Sequence, residues 1–130
     1  MIVKVVRSEW RRGSGDEGNS LAHFADDKLV GRCCLGFACQ QMGGYTDEQM
    51  RGKFWPHTLY RGLSEEERVK FSGDLKTAYV DDAGGLLTAN TPFAKAAGRI
   101  NDDPIITDDS RERALIHLFS AYGHVLHFVD

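Results

Sequence analysis

The sequence predicts an α+β fold: a mostly helical single domain, residues 1–130, with a small sheet formed by the terminal segments. Three observations carry this. Both ends of the chain, "IVKVVR" and "HVLHFV", are short runs of β-branched and other apolar residues, which suit a pleated, half-buried surface. Between them, several segments open with a hydroxyl or acidic residue placed as a helix cap. The run "CCLGFAC" is apolar on every side of a helix, so it belongs at the centre with four to five helices around it. A chain of 130 residues suffices for one such core, burying roughly two thirds of its unfolded surface without metal or disulfide staples.

The elements follow in order. Ile2 to Arg7 reads as the first strand and "RRGSGDEGNS" as a loop. "KLVGRCCLGFACQQM" starts extended and becomes helical by about Cys33, ended by Gly43 and Gly44. Cys34, Phe37 and Ala38 share one face and Leu35, Cys39 and Met42 another, so both faces meet core. In "TDEQMRG", Thr46 and Gln49 form a capping box over a turn or two, closed by Gly52. Ser64 and Glu67 repeat the relation in "SEEERVKFSGDLKTAYV", expected as one helix or as two short ones broken at Gly73.

"DDAGG" is a turn. Thr91 caps the next helix with Pro92 at its first position, where proline's missing N–H costs nothing, and Gly98 is expected to end it. "DDSRERALIHLFSAYG" places acids at a helix start, an apolar face of Leu115, Leu118, Phe119 and Tyr122, and Gly123 just past the end. In the final strand Val125 and His127 face one way and Leu126 and Phe128 the other, so a helix must cover at least one side.

Composition narrows the function classes. Hydrophobic residues at 42% and charged ones at 27% are globular values. No apolar run approaches the roughly 20 residues of a membrane span, and "MIVKVVRSEWRR" is unlike a secretory signal, so a cytoplasmic protein is expected, with no membrane partner. A net charge of −3 argues against direct nucleic-acid binding, which needs clustered cations. Arg7, Arg11 and Arg12 flank Trp10, and Arg51, Lys53 and Arg61 surround Phe54, Trp55 and Tyr60, but charge around core aromatics is the ordinary reading. Net acidity instead favours a protein partner with a basic surface.

Sites of known chemistry find little support. "GSGDEG" matches a dinucleotide fingerprint in letters only, because five residues separate it from the strand and Asp16 and Glu17 would repel a phosphate. Cys33, Cys34 and Cys39 lack zinc-ligand spacing and an obvious fourth ligand. Cys33 or Cys34 stands near a helix amino terminus, as a nucleophile would, but none of the five histidines is tied to it by a local signature. The acid pairs, densest in "NDDPIITDD", suit turns and caps and match no EF-hand order. No catalytic residue, cofactor or metal is therefore expected.

Three segments taken together carry a resemblance: Trp10, Arg12 and Gly13 of "WRRG", then "CCLGF", then "NDD" with "TDDSRE" leading to "LFSAYGHVLHFVD". They resemble a group of small tailed-phage and prophage proteins with a Trp-x-Arg-Gly start, a CCLG segment and an ending of Asn-Asp, acid-Arg-Glu helix and hydrophobic strand. Residues 45 to 90 match little beyond "TDEQMRG". The resemblance implies a viral protein acting in the infected bacterium. Such accessory proteins commonly bind and inhibit a host protein, including nucleic-acid-handling defence components such as CRISPR effectors. On that reading the contact residues expected are Glu65, Glu66 and Glu67 at a helix start and Asp81 and Asp82 before the glycine pair. A small cysteine- or metal-dependent hydrolase and a self-associating virion or assembly protein are the alternatives; the oligomeric state is open.

Overall fold

In the computed structural model, which describes residues 2–15, 18–66 and 91–130, the two ends of the chain lie side by side. β1 (Ile2–Val6) pairs in parallel with the last strand, β4 (Val125–Val129), with Ile2 opposite Val125 and Val6 opposite Val129. Alternation decides which face is core: Val3, Val5, Leu126 and Phe128 are buried, while Ile2, Lys4, Val125 and His127 face out. Parallel strands need a long crossover, and here it includes the helices. α1 (Cys34–Gly43) packs on β1, α5 (Asp108–Ala121) packs on β4, and α4 (Pro92–Asp102) lies against both helices. The protein is thus α+β, with a terminal sheet as expected.

The free edge of β1 is occupied by a side chain. The Lys4 amide donates to Gln41 Oε1 at 2.7 Å, and Gln41 Nε2 donates to the Lys4 carbonyl at 2.6 Å. The carboxamide of α1 thereby makes the two bonds that a neighbouring strand would make.

Every residue of α1 from Cys34 to Cys39 is buried, so the helix is central, and Gly44 ends it in the left-handed conformation. The Thr46–Gln49 capping box is reciprocal, at 2.9 and 3.2 Å, and opens α2 (Asp47–Met50). Thr91 Oγ1 accepts from the Ala94 amide and Thr107 Oγ1 from the Ser110 amide, both at 3.1 Å, fixing the starts of α4 and α5. Among the described residues, no helix is long and apolar enough to cross a membrane.

Several features depart from the sequence expectation. β1 stops at Val6 and Arg7–Glu9 form a 3-10 turn, from which the Arg7 guanidinium grips Glu112 on α5 through two bonds of 3.0 and 2.8 Å. Gly98 does not end α4, which runs on to Asp102. The glycine instead serves close packing: a Cβ there would lie 2.7 Å from Cη2 of Trp55. Finally, residues 23–31 form a hairpin, β2 (His23–Ala25) with β3 (Lys28–Gly31). Its turn is Asp26–Asp27 with φ of 51° and 61°, a left-handed pair that acidic side chains fill less readily than Asn-Gly.

α3 (Pro56–Arg61) was also not foreseen, although Pro56 at its first position is a start signal. Glu65 and Glu66 are helical and exposed. The rest of the expected helix to residue 80 and the "DDAGG" turn lie outside the described residues.

Candidate functional site

The last turn of α4 organises the site. Asn101, buried to 1% exposure, uses its carboxamide fully. Oδ1 accepts from Trp10 Nε1 at 2.8 Å and from the Cys34 amide at 3.0 Å, while Nδ2 donates to the Arg11 carbonyl and to Asp102 Oδ1, each at 3.0 Å. One side chain therefore ties the residue-10 segment, the start of α1 and the end of α4 together. Its backbone carbonyl accepts from the Gly13 amide at 2.8 Å.

The buried guanidinium of Arg111 on α5 completes the turn. It donates to the carbonyls of Ile100, Asn101 and Asp103 at 2.7–2.9 Å and to that of Ile106 at 3.1 Å. These include carbonyls that a helix end leaves without intrahelical partners. Gly13 passes beside this group at φ 71°, where a Cβ would stand 3.4 Å from Arg111 Nη2. Trp-x-Arg-Gly, CCLG and Asn-Asp, far apart in sequence, are thus neighbours. Arg12 joins them by lying 4.5 Å over the Trp10 ring and pairing with Asp108 at 2.9 Å.

Beside this node opens a cleft of about 360 Å³, a size typical of ligand pockets. Cys33, Cys34 and Leu35 form one wall, Asn101, Asp102 and Gly98 of α4 a second, Gly15, Gly18 and Asn19 a third, with Phe54 and Trp55 at the side. A shallower groove continues from it past Arg99, Asp103 and Pro104. Asp102 receives a second amide bond, from Asn19 Nδ2 at 2.8 Å, on the same oxygen that Asn101 contacts. Trp55 reaches the cleft because Gly98 has no side chain to hold it off.

Titratable groups do meet in this concavity, Cys33 and Asp102 among them. Cys33 is the N-cap residue of α1, a position that favours a thiolate when exposed. Here burial dominates: loss of water, reinforced by the Asp102 charge and opposed by amides at the helix start, pushes the Cys33 thiol up to about 12. Burial also raises Cys34 and Cys39 well above the usual thiol range. All three thiols are free and buried and belong to the core cluster, Cys33 and Cys34 lying where the core borders the cleft. No histidine lines the cleft among the described residues.

The remaining sequence candidates are scattered. Glu65 and Glu66 are exposed and outside the cleft, and Glu67, Asp81 and Asp82 lie outside the described residues. Among the described residues, no group of three or more His, Cys, Asp or Glu side chains is placed to hold a metal ion. The acid pairs have other work: Asp47 binds Arg32 through two bonds of 2.7 Å, Asp108 and Asp109 start α5, and Asp103 Oδ1 accepts from the Ile105 amide. Arg7, Arg12 and Arg51, read as possible basic-aromatic patches, are engaged in ion pairs with Glu112, Asp108 and Asp27.

Sequence reasoning singled out "NDD" without seeing its use. The available signal was an asparagine among acids at a helix end, but three of its four partners come from segments 67 to 91 residues away. Comparison of the chain with protein-family models, with curated proteins and with solved structures finds no match to any of them.

Proposed function

We propose that this chain is a phage-type accessory protein that binds and inhibits a host protein, one that itself handles nucleic acid, such as a CRISPR effector. It acts in the cytoplasm of the infected bacterium. The observation that carries the reading is the cleft: a carboxylate held in orientation by two amides, next to two aromatic rings, in a chain of net charge −3. That combination suits recognition of a cationic group, and burial of the thiol beside it, which raises it above the ordinary thiol range, supports binding over thiolate chemistry. Proteins that handle nucleic acid carry basic grooves, and acidic surfaces steer and occupy them. Exposed Glu65 and Glu66 add to the same sign.

Affinity capture from host lysate with the tagged protein tests this, followed by charge reversal at Glu65 and Glu66. A specific partner whose capture weakens in the reversed variant and at high salt is expected. A second reading, a cysteine-dependent hydrolase, rests on Cys33 lining the cleft. Turnover of a small substrate that Cys33→Ser abolishes, with no host partner captured, would establish that reading instead.

A further inference from the structure

The polar wall of the cleft is unevenly used. Both amide bonds to Asp102 fall on Oδ1, and among the described residues no hydrogen bond or ion pair reaches Oδ2. Two donors on one oxygen fix the rotation of the carboxylate and leave the other oxygen as an oriented acceptor. Gly18 connects this wall to the aromatic one. A Cβ at Gly18 would stand 3.7 Å from Asp102 Oδ2 and 3.5 Å from the Phe54 ring, so carboxylate oxygen and ring border the same vacant volume. Phe54 is a large aromatic left 48% exposed.

A flat cation that carries N–H donors satisfies both walls and complements the carboxylate charge as well. An ammonium meets the carboxylate but is a compact, strongly hydrated charge; a guanidinium also lays a weakly hydrated plane on aromatic faces. We propose that the cleft receives the guanidinium of an arginine side chain presented by a partner protein, its N–H groups on Asp102 and its plane against Phe54 and Trp55. Free arginine fits less well, because no basic side chain lines the cleft among the described residues, and its α-carboxylate would enter beside Asp102. The identity of the carrier rests on the host-binding reading; guanidinium recognition rests on the cleft itself.

The test is a titration of ¹⁵N-labelled full-length protein with N-acetylarginine N-methylamide, run beside the lysine analogue, free arginine and guanosine. The Trp55 indole and the side-chain amides of Asn19 and Asn101 report on the cleft. Blocked arginine should shift them saturably, and Asp102→Asn should weaken binding by about tenfold or more while the remaining amide spectrum is preserved. Phe54→Ala, at an exposed residue, should weaken it by roughly threefold and carries the same test if Asp102→Asn does not fold. Absence of saturable shifts, binding that neither variant changes, or equal binding of the lysine analogue or guanosine overturns the proposal. Tighter binding of free arginine overturns the partner-borne side chain. Blocked arginine bound without any captured host protein counts against host binding alone; host capture unchanged by Asp102→Asn counts against the cleft alone.

Discussion

Asn101 makes four side-chain hydrogen bonds while only 1% exposed. Replacing it by alanine strands the Trp10 indole and the Cys34 amide as buried donors, each costing about 1–3 kcal/mol, so Asn101→Ala should lose about 3 kcal/mol or more in urea unfolding. Cys34→Ala, which removes only a sulfur from the core, should cost about 1 kcal/mol. The thiols also make an alkaline prediction. Their folded-state values lie above the unfolded ones, so the stability they confer is complete below the ordinary thiol value of about 8.5 and is lost as pH rises from there. Native-state labelling by a thiol reagent at pH 8 should accordingly be slow at all three cysteines and become fast only on unfolding. Rapid labelling of Cys33 in folded protein would contradict the buried-thiol account.

At the level of elements, α1 approaches the preceding chain more closely than any side chain would allow. A Cβ at Gly36 would overlap the Leu21 carbonyl oxygen, so Gly36→Ala should destabilise by about 3 kcal/mol or more, despite alanine's better helix propensity. A neutral or stabilising effect in thermal unfolding would rule out this packing. Gly36 and Gly98 also show where the sequence was opaque. Periodicity and caps placed α1, α2, α4 and α5, because those signals are local. A glycine used for contact looks the same in sequence as a glycine used for termination, so α4 was expected to stop at Gly98 when its partner, Trp55, lies 43 positions away. The β2–β3 hairpin was missed because its Asp-Asp turn carries no glycine.

At the scale of the whole molecule, parallel pairing of the two chain ends was legible in part, since each strand announced itself and only their direction did not. The candidate site was not legible, because its walls come from four separate stretches joined by contacts distant in sequence, such as those of Asn101 with Trp10 and Cys34, Asn19 with Asp102 and Gly98 with Trp55. Acid should loosen this assembly. Burial holds His124 below its ordinary value, and the Arg12 guanidinium does the same for Asp108. Both groups bind fewer protons folded than unfolded, so their stabilisation is present above about pH 6.5 and about pH 4 respectively and is lost as pH falls through those ranges. Urea midpoints measured across pH should decline on the acid side, and a midpoint rising toward pH 4 would contradict both assignments. The central claim, that an oriented carboxylate in a cleft recognises a basic host protein, is tested most directly by calorimetric titration of the captured partner with wild-type protein and Asp102→Asn at one salt concentration. The account predicts about tenfold or greater weakening with the fold retained; equal affinity of the two proteins would contradict it.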